Sequence, residues 1–163
     1  MVLVCSEACP VTEALQPYFA WYEPKLMLSD FQKWAIAAIT QGHHALVTAH
    51  TGSGKTLPAE FAIRYFTEQG KKVVYASPIK ALSNQKLYDL RRKFPGISFG
   101  LLTGDIKDNP TADVVIMTTE ILRNALAQPH KPKPSEAISF HLDMLNDVAA
   151  VVFDEVHYIN DQD

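Results

Sequence analysis

The octapeptide Ala49-His50-Thr51-Gly52-Ser53-Gly54-Lys55-Thr56 has the residue types needed to hold a triphosphate. Several backbone N–H groups must converge on the phosphate oxygens, and glycines admit the positive-φ turns that aim them inward. Lys55 can then reach the terminal phosphates, Thr56 can offer its hydroxyl to Mg²⁺, and a helix starting here points the positive end of its dipole at the anion. A strict phosphate-loop pattern begins with Gly where this chain has Ala49, but the G-x-G-K-T ending is intact. A glycine loop that merely makes a tight turn is the alternative, and the strand and helix patterns flanking the loop speak against it. A second group follows the apolar run Val148-Ala149-Ala150-Val151-Val152-Phe153, which delivers Asp154-Glu155-Val156-His157. A carboxylate at a strand end facing a phosphate loop can hold Mg²⁺, and its neighbour can orient the attacking water. Taken alone, the same residues would also suit a solvated acidic turn.

The elements that must position these groups follow from periodicity. Ala45 to Ala49 reads as a buried strand before the loop, and the apolar spacing after Thr56 fits a helix over 55–68. Pro58 falls in the first turn, where the N–H has no intrahelical partner. Ser29-Asp30-Phe31-Gln32 opens an earlier helix, with Ser29 as cap and Gln32 reaching back in a capping box, and Gly42 stops it. Further strands are expected at 72–76, 98–102, 114–118 and 148–154, and helices near 79–94, 119–127 and 136–146. Apolar strands alternating with helices imply a mostly parallel sheet covered on both faces, with ligands at the carboxyl ends of its strands. Residues 128–139, with Pro129, Pro132 and Pro134 among lysines, read as a surface insertion.

With 163 residues, 47% hydrophobic composition and a formal net charge of −3, the chain suits a globular domain with a real core and excludes a disordered tail. The total charge carries no strong nucleic-acid footprint, although a local patch can still build one. Cys5 and Cys9 lack a second cysteine pair, so they are expected to be free thiols rather than a zinc site. Met1-Val2-Leu3-Val4 has no basic leader and is too short for a signal peptide, and no segment approaches a membrane span. The expected location is inside the cell, cytoplasmic or nuclear, with no membrane partner.

Gln32, the A-x-x-G-x-G-K-T loop, Ser77-Pro78-Ile79-Lys80-Ala81-Leu82-Ser83-Asn84-Gln85-Lys86, Thr103-Gly104-Asp105, Met117-Thr118-Thr119-Glu120-Ile121-Leu122 and Asp154-Glu155-Val156-His157 occur in one order. That order resembles the first RecA-like domain of superfamily two DExH-box RNA helicases, and the S-P-I-K-A-L-S-N-Q-K and D-E-V-H strings are most similar to the superkiller-type, exosome-associated branch. The resemblance implies an α/β, RecA-like P-loop NTPase domain with a mostly parallel sheet between helices. It would occupy residues 29–163, after an N-terminal segment at 1–28. The implied cofactors are ATP and Mg²⁺. Phe31 and Gln32 would recognise adenine. Thr51, Gly52, Ser53, Gly54, Lys55 and Thr56 would bind the phosphates, with Thr56 and Asp154 on the metal. Lys55, Asp154, Glu155 and His157 would be catalytic, Glu155 positioning water and His157 linking the nucleotide site to a second domain. An amide turned back onto its own helix cannot also face a base, so capping and adenine binding compete for Gln32.

The resemblance further implies nucleic-acid contacts at Pro78, Lys80, Gly104, Asp105, Thr118 and Thr119, where helix N-termini offer N–H groups to backbone phosphates. Plain N-capping by Ser77 and by Thr118 or Thr119 is the structural alternative. Lys71-Lys72 and Arg91-Arg92-Lys93 read as solvated faces. The family's Ser-Ala-Thr motif and second RecA-like domain with its arginine fingers are not in this sequence. The expectation is therefore a truncated domain with a gap in its sheet and poor activity by itself, serving as the ATP-binding half of an RNA helicase in an RNA-decay complex. A DNA helicase or translocase of the same superfamily, and a non-catalytic nucleotide-dependent nucleic-acid-binding module, are the alternatives. A small-molecule kinase has no reason to carry the T-G-D and D-E-V-H motifs together, and no N-K-x-D stretch is present to read guanine for a GTPase.

Overall fold

The structure is a computed structural model that describes residues 4–5, 7–127, 147–156 and 158. They fall into two compact units, residues 1–62 and 63–163. The first holds α1 (Gln16–Phe19), α2 (Asp30–Thr40), the glycine loop and the start of α3 (Thr56–Thr67), whose remainder belongs to the second.

Helix α2 begins and ends where its sequence dictates. The Ser29 N–H donates to Gln32 Oε1 at 2.9 Å, which is the return bond of a capping box. At the other end Gly42 adopts φ +74°, and the His43 N–H reaches back to the Ala38 carbonyl at 2.8 Å, so that the last carbonyls are satisfied as the helix stops. Tyr18 and Trp21 meet edge to face at 5.6 Å between centroids, and both rings lie against Phe61 at 5.9 and 5.2 Å. The aromatic residues of the N-terminal segment thus form part of this unit's core. Cys5 is exposed and Cys9 buried, and both are free thiols. Burial pushes the Cys9 thiol above its ordinary value, against a lowering pull from Lys33.

The second unit is built on one five-stranded sheet. Its strands are β1 (Lys72–Ser77), β2 (Phe99–Leu102), β3 (Lys107–Asp108), β4 (Val114–Thr118) and β5 (Val148–Phe153), in the order β3-β2-β4-β1-β5. Among the described residues only β3 runs antiparallel, in a hairpin with β2, and every other pair is parallel. Val73–Ser77 and Val114–Thr118 are buried on both faces, as continuous apolar runs at the middle of a parallel sheet must be. Helix α5 (Thr119–Ala127) puts Leu122 into a cluster with Val74, Ala76, Val115 and Met117. Helix α4 (Lys80–Lys93) packs on β1, β2 and β4, and its Lys86 lies over the ring of Tyr75. Alternation along β1 therefore puts α4 and α5 on opposite faces. Gly100 sits where a Cβ would collide with the Asn109 carbonyl oxygen, so β2 and the segment after β3 can approach only at a glycine.

The structure departs from the sequence reading at three points. Residues 45–49 form no strand, and Leu46 is 79% exposed. Apolarity makes a strand possible, but ladder N–H and C=O groups need a neighbour, and among the described residues no strand pairs with this run. Ser77 does not cap α4, because the helix starts three residues later, with Ile79 at its N-cap and no side-chain cap. The hairpin strand β3 was not foreseen, being two polar residues long. The expected insertion at 128–139 and the helix at 136–146 lie outside the described residues, as does His157.

Candidate nucleotide and nucleic-acid site

The glycine loop makes two turns with left-handed glycines, Gly52 at φ +83° and Gly54 at +85°. Both the N–H and the hydroxyl of Ser53 donate to the His50 carbonyl, at 3.3 and 2.7 Å, and the Leu57 N–H donates to the Gly54 carbonyl at 3.1 Å as α3 begins. Lys55 folds back and donates its ammonium to the Ala49 carbonyl at 2.8 Å. Thr51, Gly52, Gly54, Lys55 and Thr56 are exposed and Ser53 half-buried, so the loop presents its glycine backbone and both reactive side chains to solvent.

Gln32 braces this loop. Its side chain is only 5% exposed; while Oε1 serves the Ser29 cap, Nε2 donates to the Gly54 carbonyl at 3.2 Å. Glycine is required there by its φ, and a Cβ on Gly54 would come within 2.6 Å of that nitrogen, so the Gln32 amide would have to shift. Both ends of the amide are engaged, Oε1 by its own helix, so the structure shows the capping arrangement that competes with facing a base. Phe31, the preceding residue on α2, is half-buried.

The acidic pair sits at the carboxyl end of β5. The Asp154 N–H continues the ladder to the Ala76 carbonyl at 2.9 Å, which fixes the point where the chain leaves the sheet. Its Oδ2 accepts the Tyr75 hydroxyl at 2.6 Å and lies 3.2 Å from Lys86 Nζ, and its Oδ1 accepts the Glu155 N–H at 3.0 Å. Glu155 adopts φ +50°, a left-handed conformation that a non-glycine residue holds at a cost of about 1–2 kcal/mol. Its side chain is exposed. Sequence reasoning placed Asp154 and Glu155 here but missed Tyr75 and Lys86 as their supports. Lys86 stood within a quoted motif, and nothing local announced its partner.

Parallel strands bring the remaining candidates to one edge of the sheet. Ser77 pairs with Thr118, so Pro78 and Thr119 leave adjacent strand ends. Thr103-Gly104-Asp105 forms the turn of the β2–β3 hairpin, closed by the Thr103 N–H to the Ile106 carbonyl at 2.9 Å. Lys80, the first residue of α4, pairs with Asp105, and its stem lies over Gly104. Pro78 and Thr119 are half-buried, Lys80, Gly104 and Asp105 are exposed, and Thr118 is buried. Of the basic runs, Arg91 is not merely solvated: it donates to the Phe99 carbonyl at 2.8 Å and to Asp108 at 2.9 Å, tying α4 to the hairpin.

The donor set bears on the metal. Among the described residues no group of three or more His, Cys, Asp or Glu side chains is placed to hold an ion. Mg²⁺ keeps most of its waters and is bound through one or two carboxylates with substrate phosphates. Asp154, half-buried with hard oxygen atoms at a strand end, is a donor of that kind.

A mostly parallel α/β sheet, a glycine-lysine-threonine loop and an acidic pair ending a strand define the class of P-loop α/β proteins. The family model described as DEAD/DEAH box helicase matches residues 29–163, and the chain belongs to that family. Its sheet and helices are a partial RecA-like fold. The chain is 46% identical over 136 residues to the antiviral helicase SKI2 of Saccharomyces cerevisiae, covering 83% of this chain and 10% of SKI2. It is 45% identical over 147 residues to Superkiller complex protein 2 of Mus musculus, covering 90% and 10%. It is 41% identical over 141 residues to the exosome RNA helicase MTR4 of Homo sapiens, covering 86% and 12%. The chain thus spans about a tenth of the length of the curated relatives it matches. Among the described residues no helix is long and apolar enough to cross a membrane.

Proposed function

We propose that this chain is the ATP-binding part of an ATP-dependent RNA helicase, which couples ATP hydrolysis to RNA unwinding or translocation. The observation that carries the reading is the continuity of the family match from Ser29, through Lys55 and Thr56, to Asp154 and Glu155. In this reading the domain begins at residue 29, and a second RecA-like domain of the full-length protein completes the motor.

The N–H groups from Thr51 to Gly54 cradle the phosphates. Lys55 exchanges the Ala49 carbonyl for phosphate oxygens, a stronger partner for an ammonium. Thr56 offers its hydroxyl, and Asp154 its carboxylate, to Mg²⁺. When bound, the metal would neutralise charge on the phosphate oxygens. Glu155 orients the attacking water, and His157 relays the state of the nucleotide to the second domain. Gln32 turns its amide from the Ser29 cap to the adenine edge, with Phe31 alongside it.

Pro78, Lys80, Gly104, Asp105, Thr118 and Thr119 form the polymer-binding edge. Helix α4 has no side-chain cap there, so its first N–H groups are open to a backbone phosphate. Contacts of this kind read the sugar-phosphate chain rather than the bases. The relatives named as an exosome RNA helicase and as a protein of the superkiller complex support RNA as the polymer and an RNA-decay complex as the setting. An intracellular location, cytoplasmic or nuclear, goes with that setting.

The test is ATP hydrolysis by the full-length protein with RNA, with DNA and with neither. RNA-stimulated turnover that is lost in both Lys55→Ala and Glu155→Gln is the expected result. Stimulation by DNA alone would replace RNA with DNA. Retention of biological output in both variants would make the protein a nucleotide-dependent binding module instead of a motor.

A further inference from the structure

Asp154 already has a cation of the protein's own. Lys86 Nζ lies 3.2 Å from Oδ2, with the two side chains 22% and 29% exposed. The same ammonium stands 5.6 Å from the centroid of the Tyr75 ring, and the Tyr75 hydroxyl donates to the same Oδ2. One aromatic residue thus supplies both a face for the ammonium and a hydrogen bond for the carboxylate. Helix α4 is held against the sheet by Leu90, buried to 2% exposure, and by Arg91, bound to the Phe99 carbonyl. The lysine is therefore delivered from a fixed support, and it meets the carboxylate in a partly desolvated setting where charge pairs are screened less than at the surface.

We infer that Lys86 is a positioning residue that orients the Asp154 carboxylate and acts as a built-in competitor of Mg²⁺, setting how much Mg²⁺ nucleotide binding requires. The inference rests on Asp154 being the metal-holding carboxylate of the proposed function. With Lys86 in place the local charge of the pair is near zero, and an arriving cation meets a carboxylate whose Oδ2 is already shared. With the ammonium removed, the carboxylate presents its full negative charge. Tyr75 and the Glu155 N–H still hold the carboxylate, so the gain in attraction outweighs the loss of one support.

The experiment is a binding titration. A fluorescent adenosine diphosphate is held at fixed concentration with the full-length protein while Mg²⁺ is raised, and the Mg²⁺ midpoint is read without turnover. Lys86→Met is expected to lower the midpoint roughly three- to tenfold, the scale of one partly screened charge near the ion. Lys86→Arg, which restores the charge, is expected to restore the wild-type midpoint. A midpoint that is unchanged or raised in Lys86→Met, or lowered as much in Lys86→Arg, overturns the inference. If Lys86→Met binds no nucleotide even at saturating Mg²⁺, Lys86→Gln decides by the same criterion, since it keeps a donor near Oδ2 without the charge. A wild-type protein that binds no adenine nucleotide at any Mg²⁺ concentration overturns the proposed function itself; wild-type binding with an unmoved variant midpoint overturns only the role of Lys86.

Discussion

Asp154 hangs from a strand laddered to a fully buried neighbour, whereas Lys55 belongs to a loop that follows an apolar run with no ladder at all. The acidic residue is fixed by long-range partners, Tyr75 and Lys86, that the sheet and α4 bring to it. The glycine loop is fixed almost wholly by near neighbours: the His50 and Ala49 carbonyls, the first turn of α3, and one strut from Gln32. The glycine loop therefore holds its turns through glycine φ angles and a single side-chain brace from another helix. The Asp154 carboxylate depends on the sheet that carries it.

The largest effect should come from the residues proposed for hydrolysis. Glu155→Gln in the full-length protein is expected to lower ATP hydrolysis about 100- to 10,000-fold while nucleotide still binds, the range for losing a general base. Lys55→Ala is expected to lose the nucleotide itself, and equilibrium binding separates the two. Local strain comes next: Gly54→Ala puts a Cβ at φ +85° and 2.6 Å from Gln32 Nε2, and should destabilise the loop by about 1–2 kcal/mol or more. Hydrogen exchange at residues 50–57 would read it, and unaltered protection there would mean that the loop does not hold Gly54 in its left-handed conformation.

Tyr75→Phe tests the sheet-borne side more gently. It removes one hydrogen bond to Asp154 Oδ2 and should cost about 1 kcal/mol in the stability of residues 72–77 and 148–154, with no change at the glycine loop. Equal loosening of both regions would erase the contrast between them. The smallest effect on stability belongs to Asp105→Asn, which breaks the exposed pair with Lys80 and should cost less than about 1 kcal/mol. It also frees Lys80, so RNA affinity should rise at low salt and fall more steeply as salt is added. Weaker binding at every salt concentration would instead make Asp105 a direct contact.

Both halves of the proposed chemistry are spelled out by near neighbours: glycines two apart before a lysine, and two acids after an apolar run. Strands β1 and β4 were legible because burial on both faces leaves a continuous apolar stretch, and α2 because its cap and its stop are local signals. The run 45–49 misled because apolarity records that a residue can be buried and says nothing about who pairs with its backbone. Lys107-Asp108 forms a strand through pairing alone, without any hydrophobic period. The partners of Asp154 were illegible for a related reason. Lys86 is an ordinary lysine until α4 is laid across the face that Tyr75 presents, and only three-dimensional packing brings that about.

Among the described residues β5 has a neighbour on one side only, and its sequence Val-Ala-Ala-Val-Val-Phe contains no charge and no proline. Val151 and Phe153, the latter 53% exposed, lie on the face where Val74 and Ala76 are already buried. The charged gatekeepers of β5, Asp147 and Asp154, stand only at the two ends of the strand, leaving six uncharged residues between them. For anyone expressing this stretch by itself, solubility becomes the first obstacle, and the material that precipitates should be rich in intermolecular β-structure seeded at β5.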